Sequence, residues 1–294
     1  MISSEIRHSQ HGYTLVELMI GLLISLMVGS VALTFMLSGA RTLSNQGAED
    51  TIQENARFAL EILASSVRLS GSNTSKDPQT ATLSQGVFRE AICANKDCNV
   101  NNAEHKTGTA GKNAIISATD VAAFEYISNQ GKTCTGTDIT FEQQVVQVYY
   151  IADPEDDGVS SLYCAAYLAS LNYVSNTFTG HVASGNAVPL IDGVEMLQVQ
   201  YGLDSDSDGL IDGYVSYANL DPAPAKVSGL RAIKIGLVFS NTQEEVAGSQ
   251  NTENKKSRTY TALDGSLTAN DAVLRQSVST TIFLPNIIPN ADET

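Results

Sequence analysis

Glu17 is a single carboxylate set at the mouth of a long apolar run, in the block Gly12-Tyr13-Thr14-Leu15-Val16-Glu17. An ionisable group at the edge of hydrocarbon is costly and is retained where it has a task. Its spacing points to one. If the backbone is cut between Gly12 and Tyr13, Tyr13 gains a free α-amino group, and residues four apart share a helix face. The Glu17 carboxylate can then meet its own terminal amine or that of a neighbouring copy. Helices whose only buried charges are one amine and one carboxylate pack in a defined axial register, because any slip leaves a charge unpaired in an apolar medium.

A second cluster with chemistry in it is Asp204-Ser205-Asp206-Ser207-Asp208-Gly209-Leu210-Ile211-Asp212-Gly213. Calcium is a hard ion that takes six to eight oxygens. The spacing sets the carboxylates of Asp204, Asp206 and Asp208 on one concave side, with Gly209 at the sharp turn. The Leu210 carbonyl and the Asp212 carboxylate stand where the fourth and fifth ligands of an EF-hand-like loop belong. Val215 occupies the place of the closing glutamate, so a modest calcium affinity is expected. The bland reading is a polar hairpin turn, since Asp and Gly are turn formers. Closely packed aspartates repel one another unless a cation screens them, which weighs towards calcium. Glu155-Asp156-Asp157-Gly158 is a weaker acidic turn and reads as solvated.

The four cysteines, Cys93, Cys98, Cys134 and Cys164, all follow the apolar run. An even number beyond a membrane segment implies disulfides in an oxidising compartment. Of the three possible pairings, Cys93–Cys98 with Cys134–Cys164 is preferred. The first closes a short local loop, and the second staples a loop to a strand, where a longer closure removes more unfolded-chain entropy. Zinc would need tight Cys-x-x-Cys pairs or histidine partners.

The elements that must carry these groups are legible in outline. Leu18 to Leu37 bears no charge, and at 1.5 Å per residue such a helix spans about 30 Å, the thickness of a bilayer core. Beyond it Leu43, Ile52, Ala56, Ala59, Leu63 and Val67 fall mostly three and four apart, as one apolar stripe requires. One helix from about Tyr13 to Ser70 is therefore expected, apolar all round in its first half and amphipathic in its second. Strand-like runs follow at Asp138 to Ile151, Ser161 to Leu168, Val194 to Tyr201, Leu230 to Phe239 and Val278 to Leu284. In the fourth, Ile233, Ile235, Leu237 and Phe239 alternate with Lys234, Gly236 and Val238, which suits one buried face. Asn241 to Asn270 reads as a long polar connection. The expected fold class is α+β: a long helix packed on an antiparallel β-sheet head, since each supplies one apolar face. The expected domains are a leader at 1–12, a membrane or filament-core helix at 13–37, its amphipathic continuation at 38–71 and a globular head at 72–294.

Gly12-Tyr13-Thr14-Leu15-Val16-Glu17 ahead of an apolar helix resembles the processing site of type IV prepilins. Tyr13 stands where that family most often has phenylalanine. The resemblance implies that a prepilin peptidase cuts after Gly12, that the Tyr13 amine is methylated, and that Glu17 guides subunits into a filament. Three further stretches resemble one subgroup, the PilW-like minor pilins: Gln53 to Glu61 on the helix, Val194 to Gly202 leading into the aspartate turn, and Leu274 to Ile282. The resemblance implies a pilin-like fold and a single-pass inner-membrane protein with its head in the periplasm, later built into a pilus at the cell surface. It implies a place at the filament tip, priming or capping assembly in support of twitching motility, adhesion or DNA uptake. The implied partners are the major pilin, other minor pilins and a tip adhesin.

Other function classes find little in the chain. Seventeen basic against 32 acidic residues give a formal net charge of −15, a poor surface for nucleic acid. Lys255-Lys256-Ser257-Arg258 is a lone basic cluster in a polar stretch. Two of the four histidines precede Tyr13, leaving His105 and His181, thin material for a Ser-His-Asp hydrolase or a zinc enzyme. No Gly-rich phosphate loop, His-Glu-x-x-His or Gly-x-Ser-x-Gly is present, so no enzymatic activity is expected. Three rival readings remain. A secretory signal cut after Ser38-Gly39-Ala40 or an uncleaved anchor would leave a calcium-binding extracytoplasmic domain that does not polymerise. A minor pseudopilin of type II secretion would share the stem and the processing site.

Overall fold

The computed structural model of the chain describes residues 12–70 and most of 119–285. Most of the leader, Cys93 and Cys98 with their expected pairing, His105, and Lys255-Lys256 lie outside the described residues, as does the acidic turn at 155–158. The chain divides between Gly47 and Ala48 into two compact units. One α-helix, α1 (Leu15–Leu69), carries residues of both.

In the first unit the helix begins at Leu15 because Thr14 caps it. The Glu17 N–H donates to Thr14 Oγ1 at 3.3 Å, and the Leu18 N–H donates to the Thr14 carbonyl at 3.2 Å. Thr14-x-x-Glu17 is the spacing of a capping box, and an acid in the first turn suits the helix dipole. Every described residue before Ala48 is exposed. The hydroxyls along this stretch turn back on their own helix: Ser25 donates to the Gly21 carbonyl at 2.7 Å, Ser30 to Met27 at 2.8 Å and Thr34 to Ser30 at 2.9 Å. A helix so arranged can lie in hydrocarbon with its backbone and hydroxyl groups satisfied internally. It is long and apolar enough to cross a membrane.

In the second unit Ala48, Ile52, Ala56, Ala59, Leu63 and Val67 are buried. The stripe starts at Ala48; Leu43, expected to belong to it, is 71% exposed. A stripe at helical spacing does not reveal where its cover begins. The helix ends at Leu69, where the Ser70 hydroxyl donates to the Val67 carbonyl at 2.6 Å.

Two antiparallel sheets share one core with this length of helix. In the first, β1 (Ala122–Ser128), β2 (Gln143–Ala152), β3 (Ser161–Asn172) and β4 (Thr177–Ala183) lie side by side in that order, and β5 (Val188–Asp192) pairs with the other end of β3. In the second the order is β11 (Arg275–Phe283), β8 (Leu230–Ser240), β6 (Val194–Leu203) and β7 (Gly213–Ser216). Phe124, Tyr149, Ile151 and Leu162 from the first sheet meet Leu197, Ile233, Ile235, Leu237 and Phe239 from the second around Ile52, Ala59, Leu63 and Val67 of the helix. Each fully buried side chain of this size contributes about 1.5–3 kcal/mol. The sheet-on-helix architecture follows the expectation, and each of the five strand-like runs overlaps a strand, although the run expected from Asp138 becomes strand only at Gln143.

The stretch 241–270, read from sequence as a polar connection, holds a hairpin instead. β9 (Arg258–Ala262) pairs with β10 (Gly265–Ala269). Its strands are short and alternate Thr or Ser with Tyr and Leu, so their apolar content is too low to stand out. This hairpin also changes β8, which was expected to bury one face. Val238 on the far face packs with Met196 and Ala262, flanked by Tyr260 and Leu267. Gly236 makes the approach possible, since a Cβ there would lie 2.8 Å from Leu263 Cγ and 3.2 Å from Ala262 Cβ. Arg275 pins the corner: its Nε donates to Glu195 Oε2 at 2.6 Å, its Nη2 donates to Asp271 at 2.8 Å, and its guanidinium lies 5.8 Å from the centre of the Tyr260 ring.

Cys134 and Cys164 are disulfide-bonded, with Cα atoms 6.3 Å apart and a sequence separation of 30. The bond ties the turn ahead of β2 to the middle of β3, as expected for this pair. Nearby, a buried polar chain joins helix to sheet. The Ser66 and Tyr149 hydroxyls lie 2.7 Å apart, Tyr149 donates to Gln147 Oε1 at 2.8 Å, and Gln147 Nε2 donates to the Tyr126 hydroxyl at 3.1 Å. Burial pushes the Tyr149 phenol well above its ordinary value, so it stays a neutral donor.

Candidate functional site

Gly12, Tyr13 and Thr14 precede the helix and are exposed, Tyr13 to 83%. A peptide bond in that position is open to a protease in a way that a helical one is not. Thr14 fixes where non-helical backbone ends, so the Gly12–Tyr13 junction lies just outside the first turn and Glu17 lies within it. The sequence reading found Gly12, Tyr13 and Glu17 but not the cap. The Thr14-x-x-Glu17 spacing was the available signal.

The aspartate turn joins β6 to β7. One carboxylate oxygen from each of Asp204, Asp206 and Asp208 lies within 4.8 Å of the others. The turn is wound by its own acids: the Asp208 N–H donates to Asp206 Oδ1 at 3.3 Å and the Leu210 N–H to Asp208 Oδ1 at 2.7 Å. Ser207 and Gly209 adopt φ of 65° and 89°, a left-handed conformation that glycine takes without strain. Asp206 and Asp208 are exposed, whereas the Asp204 side chain is fully buried.

Three donors reach Asp204 Oδ2: Arg231 Nε at 2.9 Å, Arg231 Nη2 at 2.9 Å and the Gly209 N–H at 3.0 Å. Asp204 Oδ1 is buried with no hydrogen-bond partner among the described residues. Burial pushes this carboxyl upward, but the hydrogen bonds from Arg231 and the Gly209 N–H, the Arg231 charge and a smaller pull from the Ser207 N–H outweigh it and hold the group below the usual carboxylate range. Gly229 backs the residue: its carbonyl accepts the Asp204 N–H at 2.7 Å, and a Cβ at Gly229 would fall 2.1 Å from the Asp204 carbonyl oxygen.

Asp212, another of the expected ligands, has a bonding role within the turn. Asp212 Oδ2 accepts the Ser205 N–H at 2.6 Å, and the Asp212 N–H donates to the Leu203 carbonyl at 2.8 Å, so this residue clamps the base of the turn. Val215 is in β7 opposite Tyr201, so the place of a closing glutamate belongs to the sheet. Arg231 and Gly229 were missed from sequence. An arginine as the second residue of the largely apolar β8 was the only sign of the first.

Two family matches fall on the regions just described. Residues 7–33 match the prokaryotic N-terminal methylation motif. Residues 148–286, from within β2 to just beyond β11, match the family described as Type IV Pilus-assembly protein W. Among solved structures, a type IV-like pilin from Thermus thermophilus is similar over 80% of this chain and 96% of that one, at 14% identity and a TM-score of 0.38. No curated protein matches the chain significantly. The methylation motif, set on an exposed junction ahead of an apolar helix, defines a type IV prepilin-like protein that fits an inner-membrane-anchored pilin. Within that class, the stretch that carries most of the sheets is similar to the PilW family, which together with the methylation motif supports a pilus-related minor pilin.

Proposed function

We propose that this chain is a minor pilin that is cut after Gly12, methylated on Tyr13 and built into a type IV pilus at its tip, where it primes or caps assembly. The observation that carries the reading is Glu17. It is the one charge between Gly12 and Leu37, and it lies in the first turn of α1 beside the processing junction. Neutralised by the Tyr13 amine of an adjacent subunit, it gives the stack a single favourable register. The protein acts as a structural subunit, with its head in the periplasm before assembly and at the cell surface after it. Its partners are the prepilin peptidase, the major pilin, other minor pilins and a tip adhesin.

Mass analysis of the mature N-terminus tests the processing step. A chain from sheared pili that begins at methylated Tyr13 is the expected result. An intact Met1, or a chain beginning near Arg41, defeats the proposal and leaves an anchored or secreted domain in its place.

A further inference from the structure

We infer that the turn between β6 and β7 binds one divalent cation of calcium's class through the carboxylates of Asp204, Asp206 and Asp208. A cluster of acids is no site on its own; what sets this one apart is Asp204. Its side chain is withdrawn from solvent, and one of its oxygens is saturated by Arg231 and Gly209 while the other has no partner among the described residues. Leaving a charged acceptor buried and unpaired costs far more than an exposed one. Its carboxylate belongs to a group of three whose oxygens lie within 4.8 Å of one another. Arg231 offsets one of the three ligand charges, so those three carboxylates retain a net charge of about −2 for a dication to neutralise, with Asp212 adding a fourth negative charge at the base of the turn.

The donor set selects the ion. All three side chains offer hard oxygen and none offers sulfur or imidazole, which disfavours zinc and copper. Magnesium needs near-ideal octahedral geometry and gives up its water reluctantly, whereas calcium accepts irregular, partly hydrated shells. Asp212 is a positioning residue here, because its carboxylate holds the Ser205 N–H. With three acids and no bidentate glutamate, water and backbone carbonyls complete the shell. The expected Kd lies at about 10⁻⁴–10⁻³ M, the range of extracellular modules. Because Asp204 is bonded to Arg231 at the start of β8, an ion held there steadies the central strand as well as the turn.

The test uses the full-length protein in detergent, stripped with chelator and titrated with calcium chloride by calorimetry. Its partner is the double variant Asp206→Asn, Asp208→Asn, whose changes are confined to exposed side chains. The expected result is one calcium per chain for the parent and a loss of affinity of about tenfold or more in the variant. The melting temperature should rise with calcium in the parent alone, and an equal concentration of magnesium should not reproduce the rise. Absence of stoichiometric binding up to about 10 mM calcium, or equal binding by the variant, overturns the inference. The parent's stoichiometry is decisive even if the variant misfolds, and neither outcome bears on the pilus assignment.

Discussion

Between Leu15 and Gly47, helix α1 leaves Leu22, Leu23, Phe35 and Met36 exposed by 56–75%; between Ala48 and Leu69, it buries Ile52, Ala59, Leu63 and Val67 to 1% or less. The two stretches differ in what they require of their surroundings. As far as Leu37 the first is, Glu17 apart, apolar on every side and folds its hydroxyls back on its own carbonyls, so that length is complete once lipid or other subunits supply an apolar medium. The second carries a narrow stripe and is stable because two sheets bring apolar faces to it. Small residues at Ala56 and Ala59 allow the close approach. The lesson is that one uninterrupted helix can hold two folding problems, one solved by the environment and one by the rest of the chain.

Glu17→Ala tests the first stretch most severely. The amount of this protein in sheared pili should fall by about tenfold or more, while the denaturation midpoint of the detergent-solubilised protein stays unchanged. An unchanged pilus content would erase the functional half of the contrast. In the second stretch, Leu63→Ala should cost about 3–4 kcal/mol in chemical denaturation, because Leu63 is wholly buried. The matched change Leu22→Ala should stay within about 0.5 kcal/mol. Equal losses at the two leucines would mean that the stem is sheltered by protein after all. Replacing both Cys134 and Cys164 by alanine should lower stability by about 3 kcal/mol, from a closure of 30 residues, and should leave the helical circular dichroism of the stem intact.

The smallest expected effect is on Asp120, whose carboxylate accepts the Val199 N–H at 2.8 Å. Burial raises its pKa, the Val199 N–H lowers it, and the nearby Asp264 charge raises it further, for a net rise. The folded state therefore holds this proton more tightly than the unfolded chain does. The group's contribution grows as pH falls through the raised folded value and is complete below the ordinary value of 3.8. Asp120→Asn should remove that acid-side gain and raise stability at neutral pH by less than about 1 kcal/mol. A difference curve between parent and variant that is flat with pH would contradict this.

The two stretches also explain what was legible. A run without charge announces a membrane-length helix, and a stripe at three- and four-residue spacing announces a covered one. Neither says that cover starts at Ala48 and not at Leu43, because cover is supplied by strands that begin only at Ala122. The strands β2, β3, β6, β8 and β11 were visible through their apolar content. Most of those missed are short or polar, as in Arg258–Ala262 and Gly213–Ser216, whose pairing depends on partners outside the local pattern; β1, Ala122–Ser128, is neither, and its apolar run simply went unread. The aspartate turn was readable as a motif. Which acid is buried was not, since that depends on Arg231, 27 residues from Asp204.

Ser66 has a consequence beyond its own hydrogen bond. A rod of alanine, leucine and valine against a greasy sheet has no reason to stop at one position, since neighbouring turns offer similar contact. One hydroxyl meeting Tyr149 acts as a detent. Advancing the rod by a turn, about 5.4 Å, would break the Ser66–Tyr149 contact and leave Tyr149 and Gln147 with only their bonds within the sheet, so polarity favours one resting place of the helix that grease then fills in.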